Sequence, residues 1–316
     1  MKFNQMKKRL LLLAFSTTLF AEDNINFNLH TGMWYIDWMQ TSTSSNILKS
    51  SDIGHDVTYE IENSLAMVVN LNLNYRNIFF NLEYYNNRED IDGVDFNLAL
   101  LDLVPFVNFE LRYIKANFAG KFFQKPSNIS KEEALETENY ASSDFKTPLE
   151  IVDMIVYPFN KYIGVGYRLY NYELPQDTYL IKNRDNSLEK IGSSDLQYKG
   201  DFYTLVVDNY KDIESNIDYK GVVYSTIVGI GTLTPKDLKY QDLNKYTTES
   251  DATFYDIQLG YRYNNSKQFD FSYGLEIGYR YNKIETKSNK TDGEYSLITE
   301  FSSEFHGPFL DISVKY

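Results

Sequence analysis

Apolar and polar residues alternate one by one along most of this chain, and that pattern constrains the fold more than any other feature. In residues 65–75 every second residue is apolar, and after the two-residue link 76–77 the pattern resumes in residues 78–84. A period of two is typical of β-strands, whose side chains point alternately to opposite faces. The short link predicts a hairpin in which Tyr75 pairs with Ile78.

A second hairpin is predicted for residues 253–263 and 269–281, which alternate on either side of a polar link. Matching the two alternating phases places Arg262 opposite Asp270 and Asp256 opposite Glu276. The first pair is a candidate cross-strand ion pair. The second pair brings two carboxylates together and requires a nearby cation if both are enclosed.

Further alternating segments complete the predicted set of strands. They are 27–40, 95–103, 107–118, 149–157, 162–173, 201–208, 218–230 and 294–316. Within the last segment the apolar phase changes at Gly307 and Pro308, and we interpret this change as a β-bulge, where proline is tolerated. The bulge keeps the segment as one strand, so the prediction is about twelve strands, with ten as the alternative.

The links between these strands are alternately short and long. The short links lie near 76–77, 104–106, 158–160, 209–217 and 264–267, and the long, polar links are 41–63, 87–94, 119–148, 174–200, 231–251 and 283–293. Outer-membrane barrels have short periplasmic turns and long external loops. Within the third long link, Ser130 followed by Glu133 resembles a capping box and predicts a short helix in 129–140.

Alternation does not decide which face is buried, because a soluble lipocalin-like barrel hides its apolar face and a membrane barrel exposes it. The predicted strands are long, tyrosine and phenylalanine lie near their ends, and the other face carries charges and glycines. These features favour an all-β, transmembrane, antiparallel, up-and-down β-barrel. The side chains expected to face its lumen are Glu83, Glu110, Arg112, Arg168, Asp256, Arg262, Asp270, Glu276 and Arg280.

The first residues have the pattern of an export signal. Residues 1–21 contain a basic start followed by an apolar stretch at 10–20, which is too short for a membrane-spanning helix. We expect cleavage after Ala21 and a single barrel domain over 22–316.

At its other end the chain resembles the terminal β-signal of Gram-negative outer-membrane barrels. The matching residues are Leu310, Ile312, Val314 and the final aromatic Tyr316. The segment 305–309 (FHGPF) is also similar to the final strand of small barrel families of unassigned function. The resemblance implies an outer-membrane location, contact with lipid and lipopolysaccharide, and assembly by periplasmic chaperones and the barrel-assembly machinery.

Composition excludes several kinds of chemistry. The chain has no cysteine, so it has no disulfides, iron–sulfur clusters or thiolate zinc sites, and its net charge of -13 argues against nucleic-acid binding. Of the three histidines, His30 has no obvious acidic neighbour in phase, and His306 lies beside the expected bulge. His55 and Asp56 form a weak candidate dyad in the first external loop. We therefore expect no catalytic, cofactor or metal site, and a monomer.

Three functions remain open from the sequence. The mixed charges of the lumen fit either a packed polar core or a charged constriction in a channel for small solutes or ions. An enzyme acting at the external rim is the second possibility. The third is a surface-interaction protein that uses its acidic external loops.

Overall fold

The computed structural model describes residues 25–46, 55–87, 89–104, 107–126, 128–181, 188–210, 219–237, 250–265, 272–287 and 297–315. The strands are β1 (Ile25–Asn46), β2 (His55–Tyr75), β3 (Ile78–Asn86), β4 (Ile91–Val104), β5 (Val107–Pro126), β6 (Ala141–Tyr157), β7 (Ile163–Ile181), β8 (Leu188–Asp208), β9 (Lys220–Asp237), β10 (Ser250–Asn265), β11 (Ser272–Lys287) and β12 (Leu297–Lys315). A short helix, α1 (Lys131–Glu136), connects β5 to β6. In the described part of the chain, no helix is long and apolar enough to cross a bilayer.

The twelve strands form one closed antiparallel barrel, which confirms the predicted fold. Each strand pairs with the next along the chain, and β12 pairs with β1. Because the barrel is closed, every strand has a hydrogen-bonding neighbour on both sides. A β-sheet that crosses a bilayer requires this, since lipid offers no partners to backbone groups. We name the end that holds Ile25, Lys315 and the link 76–77 the short-turn end, and the opposite end, which holds α1, the loop end.

The number of strands changes along the barrel. Beyond the β3–β4 hairpin, the part of β2 from Glu60 to His55 pairs directly with β5. At this fork, Ser64 donates to Asp90 at 2.9 Å, and the Ala119 amide donates to the Asp90 carbonyl at 2.7 Å. The wall therefore has twelve strands near the short-turn end and ten at the loop end.

The apolar face of the strands points outward, as predicted for a membrane barrel. Exposed apolar side chains surround the wall: Met33, Met67, Leu111, Met154, Val165, Leu205, Val222, Ile230, Leu259, Leu275, Ile277, Leu310 and Ile312. Exposed aromatic residues accompany them, including Tyr84, Tyr203, Tyr263 and Tyr273. A soluble barrel would bury these side chains, whereas a bilayer accommodates them at no cost.

The bulge predicted in β12 is wrong. The register of β12 against β11 runs unbroken through Gly307 and Pro308. Phe305 packs with the buried interior cluster, whereas Leu310 and Ile312 are exposed on the outer face. The apolar phase changes because the apolar residues lie on the inner face before Gly307 and on the outer face after Pro308. No extra residue is needed to explain it.

Several links predicted to be long loops are largely barrel wall. The predicted link 119–148 shrinks to residues 127–140, because β5 continues to Pro126 and β6 begins at Ala141. The predicted link 87–94 shortens to 87–90, because β3 continues to Asn86 and β4 begins at Ile91. The helix expected in 129–140 is confirmed as α1, with the Ser130 side chain accepting from the Glu133 amide at 3.1 Å.

Some sequence predictions concern residues outside the described ranges. They are the signal peptide at 1–21 with its cleavage after Ala21, the prediction that Asp270 faces the lumen, and the role of Tyr316 in the assembly signal. The backbone of His55 is described, but its side chain is not.

Candidate functional site

The inward-facing side chains form three layers along the barrel axis, and together they make up the candidate site. Near the short-turn end lies a polar layer of Asn28, His30, Asn70, Asn72, Asn81, Asn108, Glu110, Tyr157, Asp208, Arg262, Asn264 and Glu276. Next comes a charged layer of Glu83, Asp95, Arg112, Asp153, Arg168, Asp256 and Arg280. Toward the loop end lies an aromatic layer of Trp38, Tyr59, Phe118, Phe122, Phe145, Tyr172, Tyr198 and Phe301.

Eight of the nine side chains predicted for the lumen are in the described interior. Glu83, Glu110, Arg168, Arg262 and Glu276 are buried, and Arg112, Asp256 and Arg280 are partly accessible from a cavity. Asp270 lies outside the described residues.

The sequence analysis missed four interior carboxylates: Asp95, Asp153, Asp208 and Asp311. Asp153 illustrates the reason, because the inner face of β6 also carries Ile151 and Ile155 and the outer face carries Met154. With apolar residues on both faces, alternation does not identify the lumen side. The signal that could have found Asp153 is its charge, since a charged side chain in lipid is unfavourable.

Arg168 on β7 holds two carboxylates in the charged layer. Its Nε donates to Asp153 Oδ1 at 2.6 Å, and its Nη2 donates to Asp153 Oδ2 at 2.8 Å and to Asp256 Oδ2 at 3.1 Å. The guanidinium carbon lies 4.3 Å from the centre of the Phe254 ring. Two parallel bonds between guanidinium and carboxylate are a strong form of ion pair, so this contact ties β6, β7 and β10 together.

Arg280 on β11 reaches across the lumen to Glu83 on β3. Its two terminal nitrogens donate to the two Glu83 oxygens at 2.5 and 2.9 Å, and Asn70 donates to the same carboxylate at 3.3 Å. The guanidinium also lies 5.0 Å from the Trp34 ring centre and 5.2 Å from that of Phe309. β3 and β11 are not neighbours in the barrel, so this contact spans the interior.

Arg262 lies directly opposite Glu276 on β11, so the predicted register that placed it opposite Asp270 is wrong. The two residues are direct cross-strand partners, and Arg262 Nε donates to Glu276 Oε2 at 2.7 Å. Asp256 lies opposite Asn282, so the predicted pairing of Asp256 with Glu276 is also wrong. The error arose because β11 begins at Ser272, later than the alternation in 269–281 indicates.

The Tyr157 hydroxyl lies between two carboxylates of the polar layer. It is 2.7 Å from both Glu110 Oε2 and Asp208 Oδ2, and Asn97 donates to the other Glu110 oxygen at 2.6 Å. A hydroxyl donates one proton, so at any moment it donates to one of the two carboxylates. The arrangement concentrates negative charge inside the barrel.

His30 has an acidic partner, contrary to the expectation from the sequence. Its Nδ1 lies 3.1 Å from Asp311 Oδ2, and its Nε2 lies 3.1 Å from the Asn72 amide nitrogen. Asp311 is two residues from Ser313, the direct partner of His30 on β12, and diagonal neighbours of this kind are within side-chain reach. His30 is therefore held within the polar layer.

The other two histidines do not form a described catalytic arrangement. His306 Nδ1 lies 3.0 Å from the Tyr279 hydroxyl, and the His55 side chain is outside the description. Asp56, the residue proposed to accompany His55, accepts from Lys125 at 2.7 Å.

Acidic residues of the loop end pair with lysines. The pairs are Asp56 with Lys125 at 2.7 Å, Glu60 with Lys131 at 3.5 Å, and Asp144 with Lys121 at 2.6 Å. The hydrogen bond to Asp144 raises the pKa of Lys121 above its usual value, so Lys121 stays charged at neutral pH. Among the described residues, no group of three or more acidic or histidine side chains is arranged to hold a metal ion.

The aromatic layer crosses the lumen and narrows it. Trp38 on β1 and Tyr172 on β7 lie on opposite sides of the barrel, and their ring centroids are 6.3 Å apart. Trp38 also stacks on Phe118 at 5.7 Å and contacts Phe145 at 5.6 Å, while its indole nitrogen donates to Ser303 at 3.0 Å. The sequence analysis missed this layer because β1 carries large apolar residues on both faces: Trp34 and Ile36 inside, Met33 and Met39 outside.

A cavity of about 180 Å³ lies between the charged and aromatic layers and extends to Glu110 and Asp208 of the polar layer. Asp95, Arg112 and Asp256 are on its polar side, whereas Phe118 and Tyr170 are on its apolar side. Arg112 donates to Asp95 at 3.4 Å, which is a long and therefore weak bond. The space holds several water molecules or a small guest.

A closed barrel with an apolar exterior and a charged interior defines a transmembrane β-barrel. No protein-family model matches the chain, and no curated protein matches it.

The solved structures similar to this chain include an outer membrane protease, a toluene transporter and a FadL homologue. The outer membrane protease OmpT from Escherichia coli shares 10% identity at a TM-score of 0.40, with 92% of this chain and 96% of that chain covered. The Pseudomonas putida toluene transporter TodX shares 9% identity at a TM-score of 0.31, with 93% of this chain and 90% of that chain covered. A Pseudomonas aeruginosa FadL homologue shares 8% identity at a TM-score of 0.32, with 93% of this chain and 90% of that chain covered. Sequence identity and TM-scores this low do not assign a function to this chain.

Proposed function

We propose that this chain forms a narrow channel for small solutes in the outer membrane of a Gram-negative bacterium. In this proposal the loop end faces the outside and the short-turn end faces the periplasm, which is the usual arrangement in outer-membrane barrels. The exposed apolar belt and the charged interior support a membrane position with a polar route through it.

The observation that carries the proposal is the cavity between the charged and aromatic layers. A barrel with a purely mechanical role gains nothing from a cavity lined by carboxylates and guanidinium groups, because such groups are stable inside only when they are paired or hydrated. The contact between Trp38 and Tyr172 narrows the route above this cavity. Passage therefore requires these two side chains to move, and we expect small, intermittent conductance.

Planar-bilayer recording of the refolded protein tests this proposal. Replacing both Trp38 and Tyr172 by alanine removes the rings that meet across the lumen, so we expect larger and more frequent conductance steps than in the wild type. The net negative interior predicts that cations carry most of the current.

Phe159→Ala is the matched control for this recording, because Phe159 is 83% exposed at a short turn and its loss leaves the lumen unchanged. Every sample must first be shown to be a folded barrel by heat-dependent migration on a gel. Folded wild-type and double-variant protein that both remain silent would overturn the channel proposal.

Deletion of Tyr316 tests the outer-membrane location. The terminal aromatic residue is expected to be read by the barrel-assembly machinery, so its loss should lower the amount of folded protein in outer-membrane fractions. Tyr316→Phe keeps an aromatic end and should assemble normally. Equal amounts of the deletion variant and the wild type would contradict the proposed assembly signal.

The proposal includes a monomer that contacts lipid and lipopolysaccharide, with periplasmic chaperones as transient partners. It assigns no catalytic step, cofactor, metal or nucleic acid. His55→Ala should therefore leave conductance and the cell's lipid profile unchanged.

A further inference from the structure

We propose that the cavity between the charged and aromatic layers binds small organic cations whose ammonium group is attached to an aromatic or alkyl body. This inference deepens the proposed channel function, because it names the class of solute that the lumen selects. It depends on the charge, the apolar surface and the incomplete hydrogen bonding of the cavity wall.

The first argument is the charge of the wall. Among the described residues, the wall carries the carboxylates of Glu83, Asp95, Glu110, Asp208 and Asp256 and the guanidinium groups of Arg112 and Arg280. Arg168 adds positive charge nearby, but it is shared between Asp153 and Asp256. The formal charge around the cavity is therefore negative, and a guest that brings positive charge is stabilised where an anion is repelled.

The second argument is the apolar side of the wall. Phe118, Ile151, Tyr170 and Tyr172 present rings and a branched side chain to the same space. An alkali ion gains little from such a surface, whereas an aromatic or alkyl body buries apolar area against it. Aromatic faces also attract organic ammonium groups directly. The wall thus fits an amphipathic cation better than an inorganic one.

The third argument is an incomplete hydrogen bond at Trp34, which also lines the cavity. Trp34 is 5% exposed, and within the described residues its indole nitrogen has no hydrogen-bond partner. A buried donor without an acceptor is unfavourable, so the cavity has to hold a water molecule or a guest. An ammonium group only donates, so it does not accept from Trp34; it donates instead to Asp95 Oδ1, a buried oxygen of the same wall that also lacks a partner within the described residues.

The two tryptophans provide a direct test, because Trp34 and Trp38 are the only tryptophans in the chain and both line the cavity. We expect benzylammonium chloride to change the tryptophan fluorescence of the refolded protein in a non-ionic detergent, with saturation. Sodium benzoate and benzyl alcohol have a similar apolar body without the positive charge, and they should produce no saturable change.

Substitution of the carboxylates sharpens the test. Asp95→Asn together with Asp256→Asn should weaken benzylammonium binding about tenfold, the factor expected for losing a hydrogen bond to a charged group. Asp144→Asn is the matched control, because Asp144 is an exposed carboxylate of the loop end and its loss should leave binding unchanged. If the double variant does not fold, Gln258→Lys keeps both carboxylates and places a positive charge on the cavity wall, which should abolish binding.

The outcomes separate this inference from the channel proposal. Conductance without saturable benzylammonium binding would overturn the cation site and leave the channel. Binding without conductance would support the site and overturn the channel. Equal binding of benzylammonium and benzoate, or binding unaffected by both the paired carboxylate variant and Gln258→Lys, would also overturn the inference.

Discussion

Replacing Arg168 by methionine is expected to lower the free energy of unfolding of the barrel by about 3–5 kcal/mol, the usual cost of removing one partner from a buried ion pair. Arg168 is 2% exposed and donates two hydrogen bonds to Asp153 and one to Asp256. Methionine keeps much of the side-chain volume but leaves the Asp153 carboxylate buried without its cation. Urea unfolding of the refolded protein in lipid vesicles, followed by fluorescence, measures the change.

A second variant separates the loss of charge pairing from the loss of packing. Arg168→Met combined with Asp153→Leu removes both charges, so it should recover most of the lost stability. Removing the exposed pair of Lys121 and Asp144 should have no measurable effect, since ion pairs in water contribute little. A double variant as unstable as Arg168→Met alone would contradict the role given to the buried pair and point to side-chain packing.

The fold was largely predictable from the sequence because a membrane barrel imposes one pattern on every strand. The hairpin that pairs Tyr75 with Ile78 shows this clearly, since polar and apolar faces alternate without interruption. Strand ends were less predictable. Around Lys121 the wall continues beyond the apolar belt. Its outer face there carries charged side chains such as Lys121 and Asp144, and such residues resemble a loop in the sequence.

The site was predictable only where one face of a strand is apolar and the other is charged. Arg262 and Glu276 were assigned to the lumen for this reason, although their pairing was missed because it depends on where β11 begins. Trp38 was missed because β1 carries large apolar residues on both faces, with Met33 and Met39 outside, and alternation then does not show which face is enclosed. Trp38 and Tyr172 make contact across the lumen from opposite walls. Alternation describes only the two faces of one strand, so it does not predict a contact between distant strands.

The seam between β1 and β12 depends on the absence of a side chain at Gly307. A Cβ atom at this position would lie 1.6 Å from the Tyr35 carbonyl oxygen and 2.7 Å from its carbonyl carbon. Both atoms belong to the backbone, so the clash is relieved only by moving the two strands apart. We expect Gly307→Ala to cost about 3 kcal/mol, the upper part of the usual range for overpacking, and to reduce the yield of folded barrel.

Gly260→Ala is the matched control for the seam, because a Cβ there meets its nearest atoms, a Glu276 side-chain oxygen and the Ile277 carbonyl oxygen, at 3.1 Å. At this distance each neighbour has to move by only a few tenths of an ångström, so this variant should fold in higher yield than Gly307→Ala. Heat-dependent migration of the refolded proteins on a gel measures both yields. If Gly307→Ala folded as well as the wild type, the close approach of β12 to Tyr35 would be wrong, and with it the unbroken register that replaces the predicted bulge.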